Sequence, residues 1–433
     1  MRERGTPWWR ELTHAQWTVL IVAWLGWVFD VYDTSLFFLA KRAIVLEFVG
    51  PTAYAPHGSG PSVEGRMMTV FVAGWAVGGL AFGVLGDRWG RKPTLMLTIL
   101  LYCTFTGLTV LCRSWQQVAA IRFLTALGIG GEWAAGTALV AETLPDRARA
   151  AAAGFLQSAA AVGPILASLT LLALAGRDWR LLFLVGVAPA AVTVWARSGI
   201  RDTKPAPRPQ RSSGAWVGHI AELFRTRQML SNTSIALAIG VVAIIGANNL
   251  SYWLPNLVAE ASRGLSEKVI QQRTGIAQMV LHVGTLAGVA IFPCLCERFG
   301  RRKALATFFA AGPVAVAGIA WAHPSFGVFV CLAPIMSFFV LGLTSGLPLY
   351  FPELFPARLR ATGLGLCYNA GRILQAPWPA FTGFLAGSTG IGHAVGLTSL
   401  ISFFGAAVMP FARETKGVTL TEEQNGDACL RRT

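Results

Sequence analysis

Three stretches of the 433-residue chain carry charged side chains in the middle of long apolar runs. The first, Trp27-Val-Phe-Asp30-Val-Tyr32-Asp33, puts two carboxylates at i and i+3, on one face of a helix. The second is Arg122-Phe-Leu-Thr-Ala-Leu-Gly128-Ile-Gly130-Gly131-Glu132-Trp133, and the third is Tyr368-Asn369-Ala-Gly371-Arg372. An ionised group in hydrocarbon is costly unless it faces a polar cavity or an opposite charge, so such residues mark proton and ion pathways. A nucleophile, a base and an orienting group are not assembled anywhere in the sequence. The chemistry on offer is therefore proton exchange and anion binding, and the chain does not read as an enzyme.

Each of these residues has a functional and a packing reading. Asp30 and Asp33 can carry a proton, or they can form a buried pair held by an arginine. At 1.5 Å of rise per residue, Asp30, Asp33 and Arg122 all fall about 10–15 Å from the outer helix ends, so they can form one charge cluster. Glu132 falls about two to three turns further inward, as a second proton station or as a carboxylate bonded to a neighbouring hydroxyl. Arg372 lies about 16 Å deep. A substrate anion or a buried carboxylate can satisfy it, and the fixed forks of Arg122 and Arg372 both match a carboxylate. Tyr32, Asn249 and Asn369 can bind polar substrate groups, although an intramembrane amide such as Asn249 serves equally for interhelical bonding. Gln278 and His282, at i and i+4, read as a packing pair.

The elements that must hold these groups are membrane spans. The chain is 54% hydrophobic and only 13% charged. Apolar runs of spanning length fall near 17–40, 66–86, 94–112, 116–141, 149–174, 180–198, 229–256, 273–295, 304–322, 326–351, 361–386 and 391–411. That pattern predicts residues 1–196 as an N-terminal six-helix bundle, 197–228 as a polar linker, 229–412 as a C-terminal six-helix bundle and 413–433 as a tail. The net charge of +15 is dispersed over short inter-helix loops and not gathered into a nucleic-acid-binding patch. Most of the Lys and Arg fall on one side of alternate loops, which places both termini in the cytoplasm. The first run reads as an uncleaved span and not as a signal peptide. Lys41 to Gly65 reads as the longest external loop, solvated or capping an entrance. The seven cysteines show neither a disulfide framework nor metal-ligand spacing, and no cofactor or metal is expected.

Between the second and third runs lies Gly83-Val-Leu-Gly86-Asp87-Arg88-Trp-Gly90-Arg91-Lys92-Pro93. The plan returns about 210 residues later in Cys296-Glu297-Arg298-Phe-Gly300-Arg301-Arg302-Lys303. In both, an acid precedes an arginine, a glycine turns the chain and a basic cluster follows. Glu142 and Glu353, each followed by arginines, read as matching latches at the same side. We read Gly83, Asp87, Arg88, Gly90, Arg91, Glu142, Arg298, Gly300, Arg301 and Glu353 as a conformational gate.

The first copy resembles the G-x-L-x-D-R-x-G-R-K signature of the major facilitator superfamily, at Gly83, Leu85, Asp87, Arg88, Gly90, Arg91 and Lys92. Asp30, Tyr32 and Asp33 resemble the D-G-[Y/F]-D pattern of its proton-coupled organic-acid symporters, with Val31 in place of the glycine. The run from Arg122 to Trp133, followed by Phe155-Leu-Gln157, is similar to that of metabolite, sialate and lactate:proton symporters, and Arg372 resembles the arginine of their eleventh helix. Arg413-Glu414-Thr-Lys416-Gly417 resembles the P-E-T-K-G sequence of sugar-porter relatives, with Arg413 in place of proline. The resemblance implies an all-α integral membrane protein with twelve transmembrane helices in two pseudo-symmetric six-helix bundles. It implies alternating access in a plasma or inner membrane, by a functional monomer. The expected partners are a proton, a small organic anion such as a monocarboxylate, and the lipid bilayer. A sugar or metabolite facilitator, an antiporter and a transporter-like nutrient sensor are the competing functions.

Overall fold

A computed structural model describes residues 12–55, 57–89, 91–144, 152, 154–188, 220–322, 325–356 and 359–416. Among them, eight helices are long and apolar enough to cross a membrane. In chain order the helices are α1 (His14–Phe48), α2 (Gly60–Trp89), α3 (Arg91–Leu108), α4 (Trp115–Thr143), α5 (Ala159–Leu174) and α6 (residues 180–188). There follow α7 (Arg227–Glu260), α8 (Glu267–Phe299), α9 (Arg301–Ala322), α10 (Phe326–Val340) and α11 (Gly346–Leu354). The last are α12 (Arg360–Gln375), α13 (Trp378–Thr389), α14 (Ile391–Ser399) and α15 (Ser402–Val408). Among the described residues, each of the expected apolar runs contains helix. The run at 361–386 is broken where Pro377, which has no N–H to donate, heads α13. Of the linker, only residues from 220 onward are described.

The chain divides into two compact units. One comprises Met1–Lys204 with Ser262–His282, the other Pro205–Ala261 with Val283–Thr433. In the first, α4 packs on α2 and α3, and α1 packs on α5 and α4. Small residues make those approaches possible. A Cβ on Gly128 would sit 2.6 Å from the Thr98 carbonyl oxygen, and one on Gly130 would collide with the carbonyl of Trp75. The glycine run of α4 is therefore a two-sided packing seam. Across it, Gly74 and Gly78 of α2 lie on the backbones of Phe123 and Leu127. The second unit repeats the device, with Gly284 and Gly288 of α8 on the backbones of Pro334 and Phe338 in α10. The two glycine pairs are separated by the same offset of about 210 residues as the basic motifs.

A second repeat lies at the end of each unit opposite the basic motifs. Glu47, near the end of α1, accepts hydrogen bonds from Trp179 Nε1 at 2.6 Å and from Arg180 Nη2 at 2.8 Å, at the start of α6. Glu260, the last residue of α7, accepts the backbone N–H of Gly392 at 3.1 Å, at the start of α14. In both units a glutamate pins the first helix to the start of a late one.

The connection expected at Lys41 to Gly65 is shorter than the sequence suggests, because α1 runs on to Phe48 and α2 starts at Gly60. The charges near its two ends are paired. Lys41 Nζ lies 3.1 Å from Glu64 Oε2 with both side chains fully buried, and the Tyr54 hydroxyl donates to the same carboxylate. The beginning of α8 belongs to the first unit. There Arg42 pairs with Glu267 at 3.5 Å, and the Gly176 amide donates to Gln271 Oε1 at 2.7 Å.

Candidate functional site

In the first unit, α1, α3 and α4 bring Asp33, Thr106 and Arg122 together in a dry interior. Arg122 Nη2 donates to Asp33 Oδ2 at 2.6 Å and Nη1 to Oδ1 at 3.3 Å, a bidentate pair. Thr106 Oγ1 donates to the same Oδ1 at 2.7 Å. Arg122 is 0% exposed and Asp33 1%. The rings of Phe183, Phe37 and Phe71 surround the guanidinium carbon at 4.9, 5.4 and 6.0 Å. Removing one partner of a pair so enclosed leaves an uncompensated charge, a loss of about 3–5 kcal/mol. The three helices are accordingly tied through this carboxylate.

Asp30 is buried one turn before Asp33. Tyr32 reaches away to α5, its hydroxyl 2.9 Å from Thr170 Oγ1. Glu132 is buried on α4, and Cys103 on α3 lies within electrostatic reach of Glu132, Asp33 and Asp30 alike. Asp33 meets α3 at Thr106, on a helix to which the sequence reading gives no site residue.

In the second unit, Arg372 is 7% exposed and stacks its guanidinium 4.8 Å from the Tyr368 ring. Gly371 beside it lets α12 lie close to α7, where a Cβ would fall 3.2 Å from the Gly240 carbonyl carbon. Asn369 folds back to the Gly365 carbonyl at 2.9 Å. Asn249 donates to Thr398 Oγ1 at 3.0 Å and accepts from Thr382 Oγ1 at 3.3 Å, so its amide bonds α7 to α14 and α13. Its neighbour Asn248 donates to Gln375 Oε1 at 2.8 Å, one turn beyond Arg372. On the part of α8 that belongs to the first unit, Gln278 and His282 meet at 3.2 Å. Thr106, Thr170, Gln375, Thr382 and Thr398 are polar residues of these clusters that sequence reasoning passes over. For Gln375 the signal is its i+3 spacing from Arg372.

The second-motif residues Arg298, Gly300 and Arg301, with Glu353, converge on the segment Arg413 to Lys416. Gly300 has φ +93°, a conformation that ends α8 in a tight turn, and a Cβ there would lie 2.6 Å from Glu414 Oε2. Glu414 then caps α9, accepting the backbone N–H of Arg301 at 2.9 Å and of Arg302 at 3.2 Å. It also accepts the N–H of Thr415 and of Lys416. Partial burial pushes the Glu414 carboxyl up, but the four backbone N–H bonds outweigh it and hold the group below its ordinary value. Arg301 forks onto Glu353 at 2.9 and 3.2 Å, Thr415 donates to Glu353, and Lys416 Nζ donates to the Arg298 carbonyl at 3.0 Å. One short segment therefore holds α8, α9 and α11 together. In the first motif Gly90 lies outside the described residues, as do the side chains of Asp87, Arg88, Arg91 and Glu142 and the surroundings of Gly83.

Residues 23–376 match the family model described as Major Facilitator Superfamily. The chain belongs to that family. Its helical runs are the spans of the major facilitator fold, and it is a multi-pass integral membrane transporter. It is 27% identical over 430 residues to a probable 4-methylmuconolactone transporter of Cupriavidus pinatubonensis, covering 97% of this chain and 96% of that protein. It is 28% identical over 405 residues to the sialic acid transporter NanX of Escherichia coli, covering 90% and 92%. Among solved structures, a D-xylose-proton symporter superposes with a TM-score of 0.73 at 17% identity, covering 93% of this chain and 99% of that one. At that identity the likeness shows the fold alone.

Proposed function

We propose that the protein is a proton-coupled symporter that imports a small organic anion, a monocarboxylate in the simplest case, by alternating access. The observation that carries this reading is the buried Asp33–Arg122 fork. A guanidinium with a carboxylate already in place can exchange it for another carboxylate of the same geometry. When a substrate anion competes for Arg122, Asp33 loses its compensating charge. It then becomes cheaper for Asp33 to take a proton than to stay ionised in a dry site. Substrate and proton therefore enter together.

Arg372 supplies the second guanidinium for the anion, with Tyr32, Asn249 and Asn369 as further polar contacts once helices rearrange. Asp30 and Glu132 serve as auxiliary proton stations beside Asp33. The six-helix halves, 1–196 and 229–412, rock about the linker 197–228, with both termini in the cytoplasm and the Asp87–Arg91 and Arg298–Arg301 motifs acting as the gate. The organic acids named for the relatives support an anionic substrate, and the fold supports secondary transport.

The experiment is uptake into proteoliposomes of a labelled carboxylate, first selected from a panel by thermal shift because a ligand raises the melting temperature by mass action. Symport predicts accumulation only with the outside acid. Equal uptake with and without a pH gradient would indicate a facilitator, and stimulation by an acid interior an antiporter.

A further inference from the structure

We propose that Thr106, on α3, is a positioning residue that sets how readily Asp33 takes up a proton, through one hydrogen bond to a carboxylate oxygen. The proposal rests on the reading of Asp33 as the proton-coupling group. Its own evidence is how the Thr106 hydroxyl is used. Threonines in apolar helices usually bond back to the carbonyl one turn earlier, which satisfies the hydroxyl locally. Thr125 and Thr170, and Thr109 just after α3, do this, donating to Ile121, Leu166 and Phe105 carbonyls at 3.1, 3.0 and 2.9 Å. Thr106 instead donates at 2.7 Å to Asp33 Oδ1, across 73 residues of sequence and with both side chains buried.

That bond differs from the arginine's in a way that matters for a proton carrier. A guanidinium can only donate, and so favours the carboxylate. A hydroxyl can donate to the ionised oxygen or, after rotation, accept from the protonated acid. Thr106 can therefore stay bonded to Asp33 in both states. Its bond to the ionised oxygen is the stronger of the two, so deleting the hydroxyl makes protonation easier. The titratable and charged groups around Asp33 are Asp30 and Tyr32 on its own helix, Arg122 on α4 and Cys103 one turn before Thr106 on α3, with Glu132 about two to three turns further along α4. Arg122 is the cation among them, so the Thr106 hydroxyl is a second, adjustable support for the negative charge. Its methyl group faces Gly186, where a Cβ would lie 3.6 Å from Thr106 Cγ2, so valine keeps that packing and removes the hydroxyl.

The test is infrared titration of the purified full-length protein, with protons as the only ligand. The protonated-acid band that disappears in Asp33→Asn identifies Asp33. In Thr106→Val its midpoint is expected to move to higher pH by about one unit, a tenfold gain in proton affinity. Thr106→Ser, which keeps the hydroxyl, is expected to return the midpoint to the wild-type value. If Thr106→Val does not fold, Thr106→Ala removes the same donor with less bulk and carries the same expectation. A midpoint that stays in place without the hydroxyl, or one that Thr106→Ser shifts as far as Thr106→Val, overturns the proposal and leaves the role of Asp33 standing. If no acid band disappears in Asp33→Asn, Asp33 does not take up the proton, and both readings fall.

Discussion

Glu414 accepts the backbone N–H of Arg301 at 2.9 Å across 113 residues of sequence. A residue beyond the last helix thereby supplies the cap of α9, whose first N–H groups have no partner within the helix. The helix dipole adds to the preference for a negative charge there.

Glu414→Ala should lower stability by about 1 kcal/mol, the usual loss of a cap, read as a lower melting temperature in detergent. The effect should depend on pH. The carboxyl is held below its ordinary value of 4.5, so its contribution is complete above that value and lost as pH falls through the lowered one. The melting-temperature difference between wild type and variant should therefore be flat at neutral pH and close in acid. A difference that widens in acid would show that the carboxylate is not the stabilising group.

Arg301 ties Glu353 to the same end of the second unit. Arg301→Ala, like Asp87→Asn in the first motif, is expected to slow transport about tenfold or more, a barrier change of about 1.4 kcal/mol, while substrate affinity changes little. Thermal-shift titration measures the affinity and proteoliposome flux the rate. Equal losses of both would assign these residues to binding instead of the conformational step.

The glycine seams should be intolerant in both units. Gly130→Leu and Gly288→Leu place side chains where even a Cβ meets backbone of the adjacent helix. Overpacking of about 1–3 kcal/mol is the least expected, and monodisperse protein recovered from membranes measures it. Gly365→Leu, at a position where an added Cβ would meet open space, is the control and should be recovered normally.

The charge bias of the loops predicts sidedness directly. In a cysteine-free background, a cysteine at Ser59 should react with an impermeant reagent only from outside, and one at Ser212 only from the cytoplasm. The reverse pattern would invert the topology.

How much of this was legible in the sequence follows from what helix geometry fixes. Rise per residue sets depth, so Asp33 and Arg122 can be put at one level from the sequence, and the structure pairs them. Helix rotation is set by packing with neighbours, which a single sequence does not report. Thr106 therefore looks like any other threonine in an apolar run, although it faces Asp33 while Thr109, Thr125 and Thr170 satisfy themselves. Asn249 reads equally as a ligand or a helix tie, and only the positions of Thr382 and Thr398 show the tie. Pro51, Pro56, Gly58, Gly60 and Pro61 suggest a long loop from Lys41 to Gly65, and Lys41 and Glu64 would each be costly alone in an apolar helix. Their pairing removes that constraint and lets both helices extend. The spacing of the two basic motifs, by contrast, carries over into structure, since the glycine seams recur at the same interval.

Flux through Asp33→Asn in proteoliposomes tests whether Asp33 links proton and substrate. Asparagine keeps the shape and a bond to Arg122 but cannot exchange a proton. Accumulation driven by an acid exterior should be abolished while downhill exchange of preloaded substrate remains measurable. If Asp33→Asn still concentrates substrate against its gradient in response to external acid, Asp33 is not the coupling group and Glu132 takes its place as the first candidate.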